Sequence, residues 1–114
     1  MLMQATLAII KPDAMRRNII GQIIRRAEGQ DLKVAAMKLV HLTKKQVEGF
    51  YFVHRDKPFF SDLTDFMSEG PVVVIVLRGE DAIRKWRDIM GVTDPAMAKP
   101  DTIRALFGES IERN

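Results

Sequence analysis

No cysteine occurs in this 114-residue chain, which removes disulfides, thiol nucleophiles and cysteine-ligated zinc sites together. The same absence is compatible with a reducing compartment, and the cytoplasm is the expected location. Glycine is sparse, and its seven occurrences never reach the G-x-G-x-x-G or phosphate-loop spacing. Neither a dinucleotide fingerprint nor a Walker motif therefore exists, and any phosphate must be held by side chains. The two histidines, His41 and His54, are too far apart for a helical metal pair, and no G-x-S-x-G nucleophile elbow occurs. Long hydrophobic runs are missing as well. The first apolar stretch is interrupted by Gln4 and stopped by Lys11 and Pro12, well short of the roughly 18 residues a membrane span needs. With no basic n-region ahead of it, neither a signal peptide nor a membrane anchor is expected.

What is present is an ordinary globular composition, 46% hydrophobic and 29% charged, on a length that fits one domain over residues 1–114 with one modest core. The net charge is only +3. Its basic pairs, Arg16/Arg17, Arg25/Arg26 and Lys44/Lys45, are scattered and flanked by acids, whereas a nucleic-acid binder concentrates such charge in a stripe. Small anionic ligands fit this balance better, and no nucleic-acid partner is expected.

Residues 5–10 form a short apolar run closed by Lys11-Pro12 and read as a buried strand, with Lys11 at its carboxyl end. Ile20, Ile23, Ile24 and Ala27 recur at helical spacing, and Gly29 is placed to end that helix in the left-handed conformation. Residues 32–40 suit a second strand. Thr43 and Gln46 make a capping-box pattern ahead of a helix whose Val47, Phe50, Tyr51 and His54 share one face. Lys57-Pro58 breaks it, and a further helix carries Phe59, Phe60, Leu63, Phe66 and Met67 up to Gly70-Pro71. The run Val72 to Leu77 is the most apolar of the chain and predicts a central strand buried on both faces. Glu80 and Asp81 favour the start of a last helix, Ile83, Trp86 and Met90 supply its buried stripe, and Gly91 closes it. Beyond it no period is sustained.

This order is a split βαβ plan: an α+β, ferredoxin-like fold with an antiparallel sheet covered by helices, lacking its last strand unless one forms after Asn114. Ferredoxin-like folds also serve as RNA-binding modules, which stack bases on aromatics of the two central strands. Thr6–Ile10 and Val72–Leu77, the strands expected there, contain no aromatic.

The stretch from Arg87 to Asn114 is long and poorly periodic, and such segments are commonly functional or disordered. It carries Arg87, Thr93, Arg104 and Asn114, which join Lys11, Tyr51 and Phe59 as a set of cations, hydroxyls and aromatics. Singly, each has an ordinary structural explanation. Lys11 can be a solvated strand end, Arg87 a solvated helix face, Tyr51 and Phe59 core, and Thr93 a turn residue ahead of Asp94-Pro95.

Their order along the chain changes that weighting. Ile10-Lys11-Pro12-Asp13-Ala14, Phe50-Tyr51, His54, Lys57-Pro58-Phe59-Phe60, Ser68, Gly70-Pro71-Val72-Val73, Met90-Gly91, Thr93-Asp94-Pro95-Ala96, Thr102-Ile103-Arg104 and Arg113-Asn114 together resemble nucleoside diphosphate kinase along almost the entire chain. The resemblance implies transfer of a γ-phosphoryl group from a nucleoside triphosphate such as ATP to a nucleoside diphosphate. The relay is a ping-pong phosphohistidine mechanism, with Mg2+ on the phosphates rather than on protein ligands. It implies that Lys11 reaches the phosphates and sugar hydroxyl, that Tyr51 orients Lys11, and that Arg87, Thr93 and Arg104 hold phosphate oxygens. Phe59 then stacks on the base as the roof of a single pocket, Leu63 belongs to the same nucleotide-binding set, and Asn114 binds the ribose. It also implies a homo-oligomer, a tetramer or hexamer.

The family's phosphorylated histidine belongs to an N-x-x-H-G-S-D motif, and the sequence reaches only the Asn of that motif, Asn114. Neither His41 nor His54 is a convincing substitute, so the nucleophile is expected past Asn114 and the 114 residues by themselves are expected to be inactive. The alternative is a catalytically inactive nucleotide-binding subunit of the same fold. Smaller departures are Asp101 and Glu112 in place of the family's usual Gly and Leu106 in place of its usual Asp.

Overall fold

The apolar run Val72–Leu77 does lie at the centre of the sheet in the computed structural model, which describes residues 2–109. The strands are β1 (Met3–Ile10), β2 (Lys33–Val40) and β3 (Val72–Glu80), in the order β1-β3-β2. β3 is antiparallel to both neighbours, pairing Ile10 with Val73 and Met3 with Glu80 on one side and Val40 with Val72 on the other. The first two strands therefore run parallel with the third inserted between them, the split βαβ arrangement of an α+β, ferredoxin-like fold.

Alternation along β3 explains why so apolar a strand is needed, because successive side chains point to opposite faces. Val73, Ile75 and Leu77 enter one core with Ala8 and Ile10. That core is covered by α1 (Pro12–Arg16), α2 (Ile20–Gly29), α5 (Ala82–Met90) and α6 (Ile103–Phe107), through Ala14, Ile23, Trp86 and Ile103. Val72 and Val74 point the other way, into a second cluster with Val47 of α3 (Lys44–Phe50) and Phe66 and Met67 of α4 (Phe60–Ser68). The capping box forms as expected: Thr43 Oγ1 accepts from Gln46 N–H at 3.1 Å, and Gln46 Oε1 accepts from Thr43 N–H at 2.9 Å.

Several local expectations are corrected. Pro12 ends β1 and also opens a helix, since its fixed φ suits the first helical turn. Gly29 is the last residue of α2, and the left-handed conformation is taken two residues later by Asp31, at φ 61°. The helix after Thr43 stops at Phe50, which is 58% exposed, and His54 falls in a separate 3-10 turn, Phe52–His54. Phe59 is the N-cap of α4 rather than part of it. Glu80 closes β3, so only Asp81 fronts α5, and Ile83 is 44% exposed while Ala82 takes its place in the buried stripe with Trp86. The stretch from Arg87 is more structured than its period suggests: Arg87 is in α5, and a 3-10 turn at Pro95–Met97 and α6 follow.

Gly91 is the one glycine with positive φ, at 85°, and a β-carbon there would lie 2.5 Å from Thr102 Oγ1. Gly91→Ala combines a left-handed backbone with a clash that only movement of the α6 N-cap can relieve. It is expected to lower unfolding free energy by about 2–4 kcal/mol in chemical denaturation, and an unchanged midpoint would contradict that packing.

Candidate active site

Lys11 sits where β1 hands over to α1, its backbone extended at φ −80° and ψ 166°. Pro12 and Asp13 behind it are buried, Asp13 at 8% exposure, in the first turn of α1, where the helix amino terminus favours a carboxylate. The lysine side chain is held at a cavity of about 70 Å³ that it shares with Asp13, Trp86, Arg104 and Phe107. Burial lowers the Lys11 pKa from 10.5 to about 8; the Arg104 charge lowers it further and Asp13 opposes both.

Arg104 comes from α6, whose N-cap Thr102 accepts from Ala105 N–H at 3.3 Å and donates its own hydroxyl to Lys99 O at 2.7 Å. The guanidinium donates to Gly91 O at 2.9 Å, tying α6 to the end of α5. Desolvation lowers the Arg104 pKa too. On the far side of that hydrogen bond opens a cleft of about 900 Å³ lined by Arg87, Gly91, Thr93, Lys99 and Arg104, among others. Arg104 and Met90 line both spaces, and Arg104 is the charged residue they share.

The structure thus brings Arg87, Thr93 and Arg104 to one cleft, and Lys11 to a smaller cavity joined to it at Arg104. Tyr51 and Leu63 pack at the edge of the second core cluster, and burial raises the Tyr51 pKa, keeping the phenol protonated. Phe59 is 43% exposed, with its ring 5.7 Å from that of His54. None of these three lines either space. Asn114 lies outside the described residues. His41 Nε2 bonds Ser68 O at 2.9 Å, a structural role between β2 and α4. Lys99 lies in an aperiodic segment that carries no signal in the sequence, whereas Asp13 and Thr102 belong to the Lys11-Pro12-Asp13 and Thr102-Ile103-Arg104 runs without a role of their own legible there.

The chain matches the family model for nucleoside diphosphate kinase over residues 4–114. Relatives of that description are 56% identical in Desulfovibrio desulfuricans and 58% identical in Thiobacillus denitrificans, the matches covering 99% and 100% of this chain and 81% and 80% of those proteins. The chain belongs to the nucleoside diphosphate kinase family. It is an enzyme of the phosphotransferase type, and the inactive-subunit alternative is not favoured. The solved Aquifex aeolicus nucleoside diphosphate kinase superposes with a TM-score of 0.96 at 43% identity, covering 99% of this chain and 82% of that one. A halophilic member from Halobacterium salinarum, solved in complex with CDP, gives 0.94 at 37% identity, over 96% of this chain and 72% of that one. The family places nucleotides among its ligands, which agrees with a site built from cations.

No helix among the described residues is long and apolar enough to cross a membrane. Among the same residues no group of three or more His, Cys, Asp or Glu is arranged to hold a metal ion. The charged residues lining the large cleft are Arg87, Lys99 and Arg104 against the single carboxylate of Asp88, so its donor set fits a divalent ion only when phosphate oxygens accompany it.

Proposed function

We propose that this chain carries the nucleotide site of an enzyme that moves the γ-phosphoryl group of a nucleoside triphosphate, ATP among them, to a nucleoside diphosphate. The observation that supports this most is the placement of Arg104 between Lys11 and the Arg87–Thr93 cleft. A phosphoryl group in transfer needs positioning and charge stabilisation more than covalent chemistry, and arginine forks match its oxygens. Each cation about 4 Å from a phosphate charge gains about 4 kcal/mol at an effective dielectric near 20, before desolvation is subtracted.

In this reading Lys11 contacts the phosphates and sugar hydroxyl with Tyr51 orienting it, while Arg87, Thr93 and Arg104 grip phosphate oxygens. Phe59 stacks on the base beside Leu63, a contact of roughly 1–3 kcal/mol that every base can make, so base selectivity is low. Asn114 binds the ribose. Mg2+ would be held by the nucleotide phosphates rather than by protein ligands, and would neutralise part of the phosphate charge that Arg87 and Arg104 face. A histidine past Asn114 accepts the phosphoryl group and returns it in a ping-pong cycle. The enzyme works as a cytoplasmic homo-oligomer, a tetramer or hexamer.

The test is labelling. Protein expressed from its complete reading frame and incubated with γ-labelled ATP should form an acid-labile phosphoprotein that passes its label to added diphosphate. Diphosphate binding without any label would instead favour an inactive nucleotide-binding subunit.

A further inference from the structure

A second cleft, of about 820 Å³, lies between α2, α5 and the turn before α6, and its walls carry Arg25, Arg26, Arg84, Lys85 and Lys99 against only Asp88 and Asp101. These cations come from three separate regions of sequence, and only folding assembles them. The two acids are already engaged. Arg26 donates to Asp101 O at 3.0 Å and lies 3.8 Å from its carboxylate, and Arg84 pairs with Asp88 at 3.4 Å. Among the described residues the side chains of Arg25, Lys85 and Lys99 have no hydrogen-bond or ion-pair partner. Three uncompensated positive charges around one concavity focus a field that attracts polyanions.

The shape and lining narrow the class of ligand. No aromatic side chain lines the cleft, so there is no platform on which bases could stack, the usual anchor of single-stranded nucleic acid. Asp88, Lys99 and Thr102 line both this cleft and the nucleotide cleft, making the two adjoining but differently walled spaces. We infer that the cleft between α2 and α5 is a second anion site, which takes consecutive phosphates of an inorganic polyphosphate chain through Arg25, Lys85 and Lys99. The occupant is recognised by repeated charge alone, with Arg26 and Arg84 held as the rigid rim by their carboxylates.

The test uses the full protein with inorganic polyphosphate of defined length as the probe, followed by calorimetry. Arg25→Glu/Lys85→Glu is expected to weaken polyphosphate binding by about tenfold or more, and to flatten its salt dependence because two cations no longer release counterions. Affinity for a nucleoside diphosphate should stay within about twofold, since neither residue lines the nucleotide cleft; that retained affinity also certifies folding. Should the double variant lose both, Arg25→Gln/Lys85→Gln removes charge without reversing it and is expected to show the same selective loss. Polyphosphate binding that survives both variants overturns the proposal. So does binding that a saturating nucleoside diphosphate abolishes one for one, which would place the chain in the nucleotide cleft, or equal affinity for a single-stranded oligonucleotide.

Discussion

Lys11→Met is expected to lower kcat/KM for nucleoside diphosphates by about 10²–10³-fold, the loss typical of removing one preorganised group that stabilises developing charge. Methionine fills much of the same volume, so the loss should be in binding and catalysis rather than in folding. The wild-type pH profile supplies the companion test. Because burial and Arg104 bring Lys11 to about 8 in the free protein, the protonated, phosphate-binding form is lost as pH rises through that value. kcat/KM should therefore fall on the alkaline side near pH 8, and the limb should be missing in Lys11→Met. A bound phosphate favours the charged ammonium, so the corresponding limb in kcat belongs at higher pH.

The stability of the unliganded protein should change with the opposite sign. Below about pH 8 the buried charge opposes folding in full. Between about 8 and the ordinary lysine value of 10.5 the unfolded chain holds a proton that the folded chain has released. Stability contributed by this group therefore rises with pH across that window, by about 3 kcal/mol at most. Unfolding of wild type and Lys11→Met compared at pH 7.5 and pH 10, values chosen to lie roughly either side of the window, measures the difference directly. Parallel behaviour of the two proteins would show that Lys11 is not the buried cation described.

Arg104→Ala is the second large effect. The side chain lines both cavities and donates to Gly91 O, so its removal takes away a phosphate ligand and the tie between α6 and the end of α5. A loss of about 10²–10³ in kcat/KM is expected, with Arg104→Lys recovering little because a point charge cannot bond the carbonyl and a phosphate with one planar fork. A second readout separates this from general loosening of the loop. Arg104 depresses the Lys11 pKa, so in the residual activity of Arg104→Ala the alkaline limb should move upward from about 8. A limb that stays in place would mean that the two cations do not face one another.

Much of the architecture is legible before any coordinates are seen, because it depends on local physics. The run at Val72 has no polar position for six residues, and only a strand covered on both faces accommodates that pattern. Thr43 and Gln46 satisfy each other's backbone groups within one turn. The misread details are those in which distant contacts outvote local preference. Ile83 is spaced correctly for the buried stripe, yet α5 is rotated so that Ala82 meets the core. Asp31 rather than Gly29 adopts the left-handed turn. α6 escapes a reading by period because five residues between Thr102 and Gly108 are too short to display one. The candidate site divides in the same way: the cations Lys11, Arg87 and Arg104 stand out by order along the chain, whereas Lys99 acquires significance only from what it faces.

The sequence by itself determined the family, the split βαβ order, and which side chains were available to hold phosphate, because these follow from residue identity and spacing. The tertiary structure decided which charges meet. It set Arg104 between Lys11 and the Arg87 cleft, and it gathered the Arg25/Arg26 pair with Lys85 and Lys99, distant from it in sequence, around a second cleft. Electrostatic interaction falls with distance through space and not along the chain, so its consequences appear only once the chain has folded.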